Sequence, residues 1–214
     1  MLKAMLGWVA AWGALSASEA GAEALVLVEN GQPRAQVVIA VEPSAQAKEA
    51  AGILQDYVRR MSGAALPIRS EKEAIEGSRV LVGRSEAVRS LGVSVPSGFT
   101  PRIDEEGFII KRVGNDLVIA GNEDWSYRGT IYAVHELLER LGCRWFFPGA
   151  YGEVVPELGT IEIGDIDLVE RPSFRMRNIW YSGWMPVVGQ QGDDLRRWYD
   201  ANKAHALAGL SLPG

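Results

Sequence analysis

The stretch from Gly107 to Gly142, "GFIIKRVGNDLVIAGNEDWSYRGTIYAVHELLERLG", constrains the fold more than any other part of the chain. Two apolar runs, Phe108–Arg112 and Asp116–Ala120, flank Gly114-Asn115, a pair that tolerates the positive φ of a tight turn; together they predict a β-hairpin. Directly after it, Ile131, Val134, Leu138 and Leu141 recur at helical spacing over roughly Tyr127 to Leu141. Leu137 widens that stripe, and Gly142 supplies the stop. Each of these side chains contributes about 1.5–3 kcal/mol if fully buried. A hairpin followed at once by a helix with one apolar face asks for helix packed on sheet.

The segments on either side fit that plan. Ala24–Val28 and Ala35–Val41 read as strands around the turn Asn30-Gly31-Gln32-Pro33. Ser44 is a suitable N-cap, and Ala47, Ala50, Ala51, Leu54, Val58 and Met61 then recur at helical spacing until Gly63. Arg79–Gly83 reads as a short buried strand followed by a helical turn to Leu91, and Cys143–Phe147 as a strand buried on both faces. The expected fold class is therefore α/β, a small sheet with helices packed on it. At Glu170–Phe174 the character changes, with Trp180, Trp184 and Trp198 close behind, and a domain boundary is expected at about residue 171.

Composition narrows the partners. A net charge of −5 without a basic cluster excludes nucleic acid. The N-terminus has Lys3, an apolar run from Ala4 to Leu15 and the small-residue motif Ala20-Gly21-Ala22. That run is far short of the roughly 20 residues of a membrane span, so residues 1–22 read as a signal peptide and the mature chain as secreted or periplasmic. With Cys143 the only cysteine, no internal disulfide can form.

The candidate chemical groups are weak ones. His135 has no Cys or His neighbour at ligand spacing, so it reads as structural, and no metal or cofactor is expected. Cys143 reads as a buried, inert thiol. Glu136 and Glu139 read as solvated helix surface, and Asp104-Glu105-Glu106 as a charged loop. Asp193-Asp194 suit the start of a final helix, where the macrodipole favours negative charge. Adjacent carboxylates there do not converge across a cleft, so no catalytic residue is assigned.

"SYRGTIYAVHELLERLGCRWFFPG" (Ser126–Gly149), with "GEVVP" at Gly152–Pro156, resembles the N-terminal domain of bacterial α-glucuronidases and of related exported glycoside-hydrolase-like proteins. The same module is similar to the accessory domain ahead of the barrel in β-hexosaminidases. "LVGRSEA" (Leu81–Ala87), "GFIIKRVGNDLVIAG" (Gly107–Gly121) and "ERPSFRMRNIW" (Glu170–Trp180) support the resemblance, which covers about residues 24–180. It implies a non-catalytic accessory domain over 23–171 and, over 172–214, the incomplete start of a (β/α)8 barrel. "RMRNIW" resembles the first barrel strand of α-glucuronidases, which lines the sugar site. Arg175, Asn178 and Trp180 match that pattern, and Arg177 takes the sugar-binding arginine's place on the hexosaminidase pattern. The "YSG" after Trp180 departs from the acidic continuation that α-glucuronidases carry.

A whole barrel takes about 250 residues, so at most one strand and one helix of it fit beyond residue 171. The resemblance implies the N-terminal part of a glycoside hydrolase of polysaccharide degradation, its carboxylates on later strands, its partners a carbohydrate substrate and the remainder of the barrel. The alternative is a stand-alone carbohydrate-binding or scaffold module without catalysis.

Overall fold

The computed structural model describes residues 24–98, 106–174, 177 and 190–204. In chain order the strands are β1 (Leu25–Glu29), β2 (Gln32–Pro33), β3 (Ala35–Ile39), β4 (Ile68–Ser70), β5 (Ser78–Val82), β6 (Phe108–Val113), β7 (Asp116–Gly121), β8 (Arg144–Trp145), β9 (Glu153–Val154), β10 (Ile161–Ile163) and β11 (Asp167–Glu170). The helices are α1 (Ala45–Ser62), α2 (Glu86–Ser90), α3 (Gly129–Arg140) and α4 (Gln190–Ala201).

Six strands form the main sheet in the order β11-β6-β7-β5-β3-β4. The hairpin β6–β7 and strand β11 are antiparallel, whereas β7, β5, β3 and β4 run parallel. Alternation along the central strands divides the apolar residues between two layers. Val37, Val80, Val82, Phe108, Ile110, Leu117 and Ile119 face α1 and α3, while Val38, Leu81, Ile109, Val118 and Ala120 face α2. A second sheet, β10-β1-β2, joins the first layer through Leu25, Leu27, Ile161 and Ile163.

The local signals for α1 behave as the sequence implies. Ser44 Oγ accepts from the Ala47 amide at 2.9 Å, and Gly63, at φ 77°, closes the helix by donating to the Arg59 carbonyl at 2.8 Å. Both strands read from the sequence are present, as β1 and β3, but they lie in separate sheets, and the turn at Asn30-Gly31 joins β1 to the two-residue β2.

Residues Cys143–Phe147 do not form a strand buried on both faces. Only Arg144 and Trp145 pair, with the equally short β9, and Phe146 and Phe147 are 67% and 47% exposed. The chain reverses at Gly149 and returns so close that a Cβ on Gly152 would lie 2.1 Å from the Phe147 carbonyl oxygen. That tight reversal leaves the phenylalanines on the outside of a small hairpin.

Candidate functional site

Two constellations stand out, one of buried charge and one of aromatic rings. The first begins at Glu106, whose side chain is fully buried. One carboxylate oxygen accepts from the Arg128 amide at 3.0 Å, and the other is paired with the Arg177 guanidinium. Arg177 also donates from Nε to the Lys203 carbonyl at 2.9 Å. Lys203 in turn places Nζ 2.5 Å from Glu136, and Arg128 holds Asp200 at 2.5 Å and Glu49 at 3.0 Å. Residues from both sides of the expected boundary at 171 thus share one network of charge-assisted bonds.

The electrostatics follow from burial. Burial drives the Glu136 carboxyl upward, but Lys203 and Arg140 outweigh it and hold the group below its usual range. At Asp200 burial wins over Arg128 and raises the carboxyl. Tyr132, beside the same network, is raised by burial and then by Glu106.

Glu136 is therefore not solvated helix surface. It pairs with Arg140 one helical turn on at 2.8 Å, but Lys203 covers it from the far end of the chain and leaves the residue 8% exposed. Glu106 does lie in the loop before β6, but it is buried rather than solvated. Its decisive partner, Arg177, lies 71 residues away, and no local spacing announces such a pairing.

The second constellation surrounds Trp145. Its indole N–H lies 2.8 Å from the Tyr57 hydroxyl and 3.0 Å from Glu153 Oε1, and its carbonyl accepts from Trp198 Nε1 at 3.1 Å. Tyr57 also hydrogen-bonds Glu153, and Arg60 donates to Glu153 Oε2 at 2.7 Å. A cavity of about 90 Å³ opens here, lined among others by Phe147, Glu153, Asp194, Arg197 and Trp198.

His135 lies beneath, its ring centroid 5.0 Å from that of Trp145 and 6.3 Å from that of Tyr57. Neither ring nitrogen has a hydrogen-bond partner among the described residues, and burial pushes the group down to about 3. The imidazole is neutral in the fold, as a structural histidine should be. Cys143 is buried and free, with burial pushing its thiol up to about 11. Such a group is protonated and unreactive at neutral pH.

The histidine gives the fold an acid sensitivity. In the unfolded chain His135 takes up its proton near pH 6.5, while the folded protein refuses it down to about 3. Between those limits the unfolded state binds more protons, so stability falls as pH falls, by about 1 kcal/mol per pH unit. The urea midpoint of the wild type should fall relative to that of His135→Phe by a corresponding amount between pH 7 and pH 5. NMR shifts of the His135 ring that titrate between pH 5 and 8 would refute this.

Of the four residues that the sequence associates with sugar binding, Arg177 is described, and it sits in the charge network. Arg175, Asn178 and Trp180 lie outside the described residues. Among the described residues no group of three or more acidic, histidine or cysteine side chains could hold a metal ion, and no helix is long and apolar enough to cross a membrane.

A solved family GH115 4-O-methyl-α-glucuronidase with specificity for decorated arabinogalactans matches this chain at TM-score 0.59 and 16% identity. The match covers 84% of this chain and 25% of that enzyme. The likeness is one of fold. A mutant Streptomyces plicatus β-hexosaminidase bound to its GlcNAc product matches at TM-score 0.32 and 18% identity, over 61% of this chain and 21% of that one, too slight to carry weight. No protein-family model and no curated protein matches the chain. Its mixed α/β fold thus has a glycoside hydrolase as a structural neighbour, and it spans a quarter of the length of that glucuronidase.

Proposed function

We propose that the chain is the N-terminal part of an exported glycoside hydrolase acting on polysaccharide or oligosaccharide. Residues 23–171 form the non-catalytic accessory domain, and 172–214 begin a (β/α)8 barrel. The observation that carries this reading is the fold shared with a quarter of a glucuronidase over most of this chain. The chemistry of the whole enzyme is then glycosidic hydrolysis by two carboxylates that flank the scissile bond, on barrel strands beyond these residues. Residues 1–22 direct export and are removed.

In this reading Arg175, Asn178 and Trp180 line the sugar site at the end of the first barrel strand, since active sites of this architecture gather at C-terminal strand ends. The indole of Trp180 stacks on a pyranose ring, and Asn178 hydrogen-bonds its hydroxyls. Arg177 stands beside them, its guanidinium bound to Glu106.

The test uses the protein as its host makes it. Trp180→Ala should weaken oligosaccharide binding at least tenfold and leave the urea midpoint near that of the wild type. An unchanged Kd, or a large loss of stability with unchanged binding, overturns the assignment. A host protein that ends at Gly214 and still binds glycans would favour the alternative, a stand-alone carbohydrate-binding or scaffold module.

A further inference from the structure

The hairpin formed by β8 and β9 presents aromatic surface that the accessory-domain reading does not use. Phe146 is 67% exposed, Phe147 47% and Tyr151 94%. Exposed apolar side chains scattered singly need no explanation, but three aromatics within six residues form a patch. The Phe147 and Tyr151 rings lie 5.9 Å apart with an interplanar angle of 41°, a shallow V of which Phe147 lines the cavity and Tyr151 extends outward from it.

Beside Phe147 the lining turns polar. Glu153 Oε1 is held by Tyr57 and Trp145, and Oε2 by Arg60. A carboxylate has about four acceptor sites, so Oε2 keeps one open among the described residues. Asp194 bonds through Oδ1 to Arg197, at 3.1 Å. The Arg197 side chain is 70% exposed and lines the same cavity. Ring faces beside fixed carboxylates and a guanidinium complement a sugar, whose C–H face is apolar and whose rim carries hydroxyl donors and acceptors.

We propose that this cavity is a second carbohydrate site, built from the β8–β9 hairpin and α4, that takes a neutral pyranose at the end of a glycan. The cavity of about 90 Å³ admits one edge of the ring, with hydroxyls turned to Glu153 and Asp194. The rest of the ring lies against Phe147 and Tyr151. Trp145 spends its N–H within the protein and holds Glu153 in place rather than touching the sugar. Neutrality follows from the lining. A uronate would meet two carboxylates against the single, largely exposed guanidinium of Arg197, so the lining favours an uncharged ring. Helix α4 falls in the segment read as the start of the barrel, but every residue invoked is outside 175–180, so Trp180→Ala tests that reading separately.

The experiment is an NMR titration of the full chain, following the indole N–H signals of Trp145 and Trp198. The probes are xylotriose and galactotriose, with glucuronic acid as the charged comparison. One neutral trisaccharide at least should shift both indoles with a millimolar Kd, and glucuronic acid should bind at least tenfold more weakly. The double variant Phe147→Ala/Tyr151→Ala loses two exposed side chains, so its fold persists, as its remaining signals will show; its Kd should rise at least tenfold. Absence of any shift, or shifts that survive in the double variant, overturns the proposal. So does sedimentation showing a dimer that the double variant dissolves, because the patch would then be a protein interface.

Discussion

Gly121→Ala is expected to destabilise the protein by about 3 kcal/mol or more, with Gly129→Ala close behind. Gly121 ends β7 and Gly129 opens α3, and their backbones nearly touch. A Cβ on Gly121 would lie 2.3 Å from the Gly129 carbonyl carbon, and one on Gly129 would lie 2.5 Å from both the Asn122 nitrogen and the Gly107 oxygen. The neighbours are backbone atoms already committed to hydrogen bonds: Gly129 N to the Asn122 carbonyl at 3.0 Å, and Asn122 N to the Gly107 carbonyl at 2.9 Å. No rotamer change can make room, so the start of α3 must lift off the sheet, at the upper end of overpacking costs. For a domain of this size the shift in Tm is roughly 6–12 °C. Gly52 is the control. It lies inside α1, and a methyl group added there would meet nothing within 4 Å, so Gly52→Ala should stabilise by up to about 1 kcal/mol. Equal melting temperatures for Gly121→Ala and Gly52→Ala would refute the close approach.

The same contact explains which parts of the fold are legible in the amino-acid order. The hairpin, α1 and α3 announce themselves because their signals are local: Gly114 at φ 60°, Ser44 capping Ala47, apolar residues repeating at the helical period. Strand β4 has no such signal. Only three residues long and at the edge of the sheet, it is defined by its pairing with β3. Gly129 gives no local hint either, since nothing about a glycine at a helix start says that a strand end lies against it. The sites divide in the same way. His135 and Cys143 are readable as structural groups from their neighbours in sequence, but the burial of Glu106 and Glu136 is not readable, because Arg177 and Lys203, which cover them, come from the far end of the chain. The Phe146-Phe147 pair fails for the opposite reason. Apolar sequence suggests a core, and only the reversal at Gly149 turns both rings outward.

The charge network separates the two roles open to Arg177. Glu106 is fully buried two residues before β6, whereas the Arg177 side chain keeps 14% exposure on a segment that reaches it from beyond residue 170. Removing the arginine leaves a buried carboxylate whose remaining donor, among the described residues, is the Arg128 amide. Removing the acid leaves a guanidinium on a long side chain that can turn outward. Arg177→Met should therefore cost about 3–5 kcal/mol, the range for stranding one partner of a buried ion pair, and Glu106→Gln should cost less. In the double variant Glu106→Gln/Arg177→Met no charge is stranded, so its loss should fall well below the sum of the singles, a coupling that a double-mutant cycle in urea measures directly. Arg177→Lys should rescue little, because the fork reaches both Glu106 and the Lys203 carbonyl, which a single ammonium on a different stem does not reproduce. If Arg177 served a sugar instead, Arg177→Met would leave stability nearly unchanged and the cycle would show no coupling. Oligosaccharide binding alone would suffer.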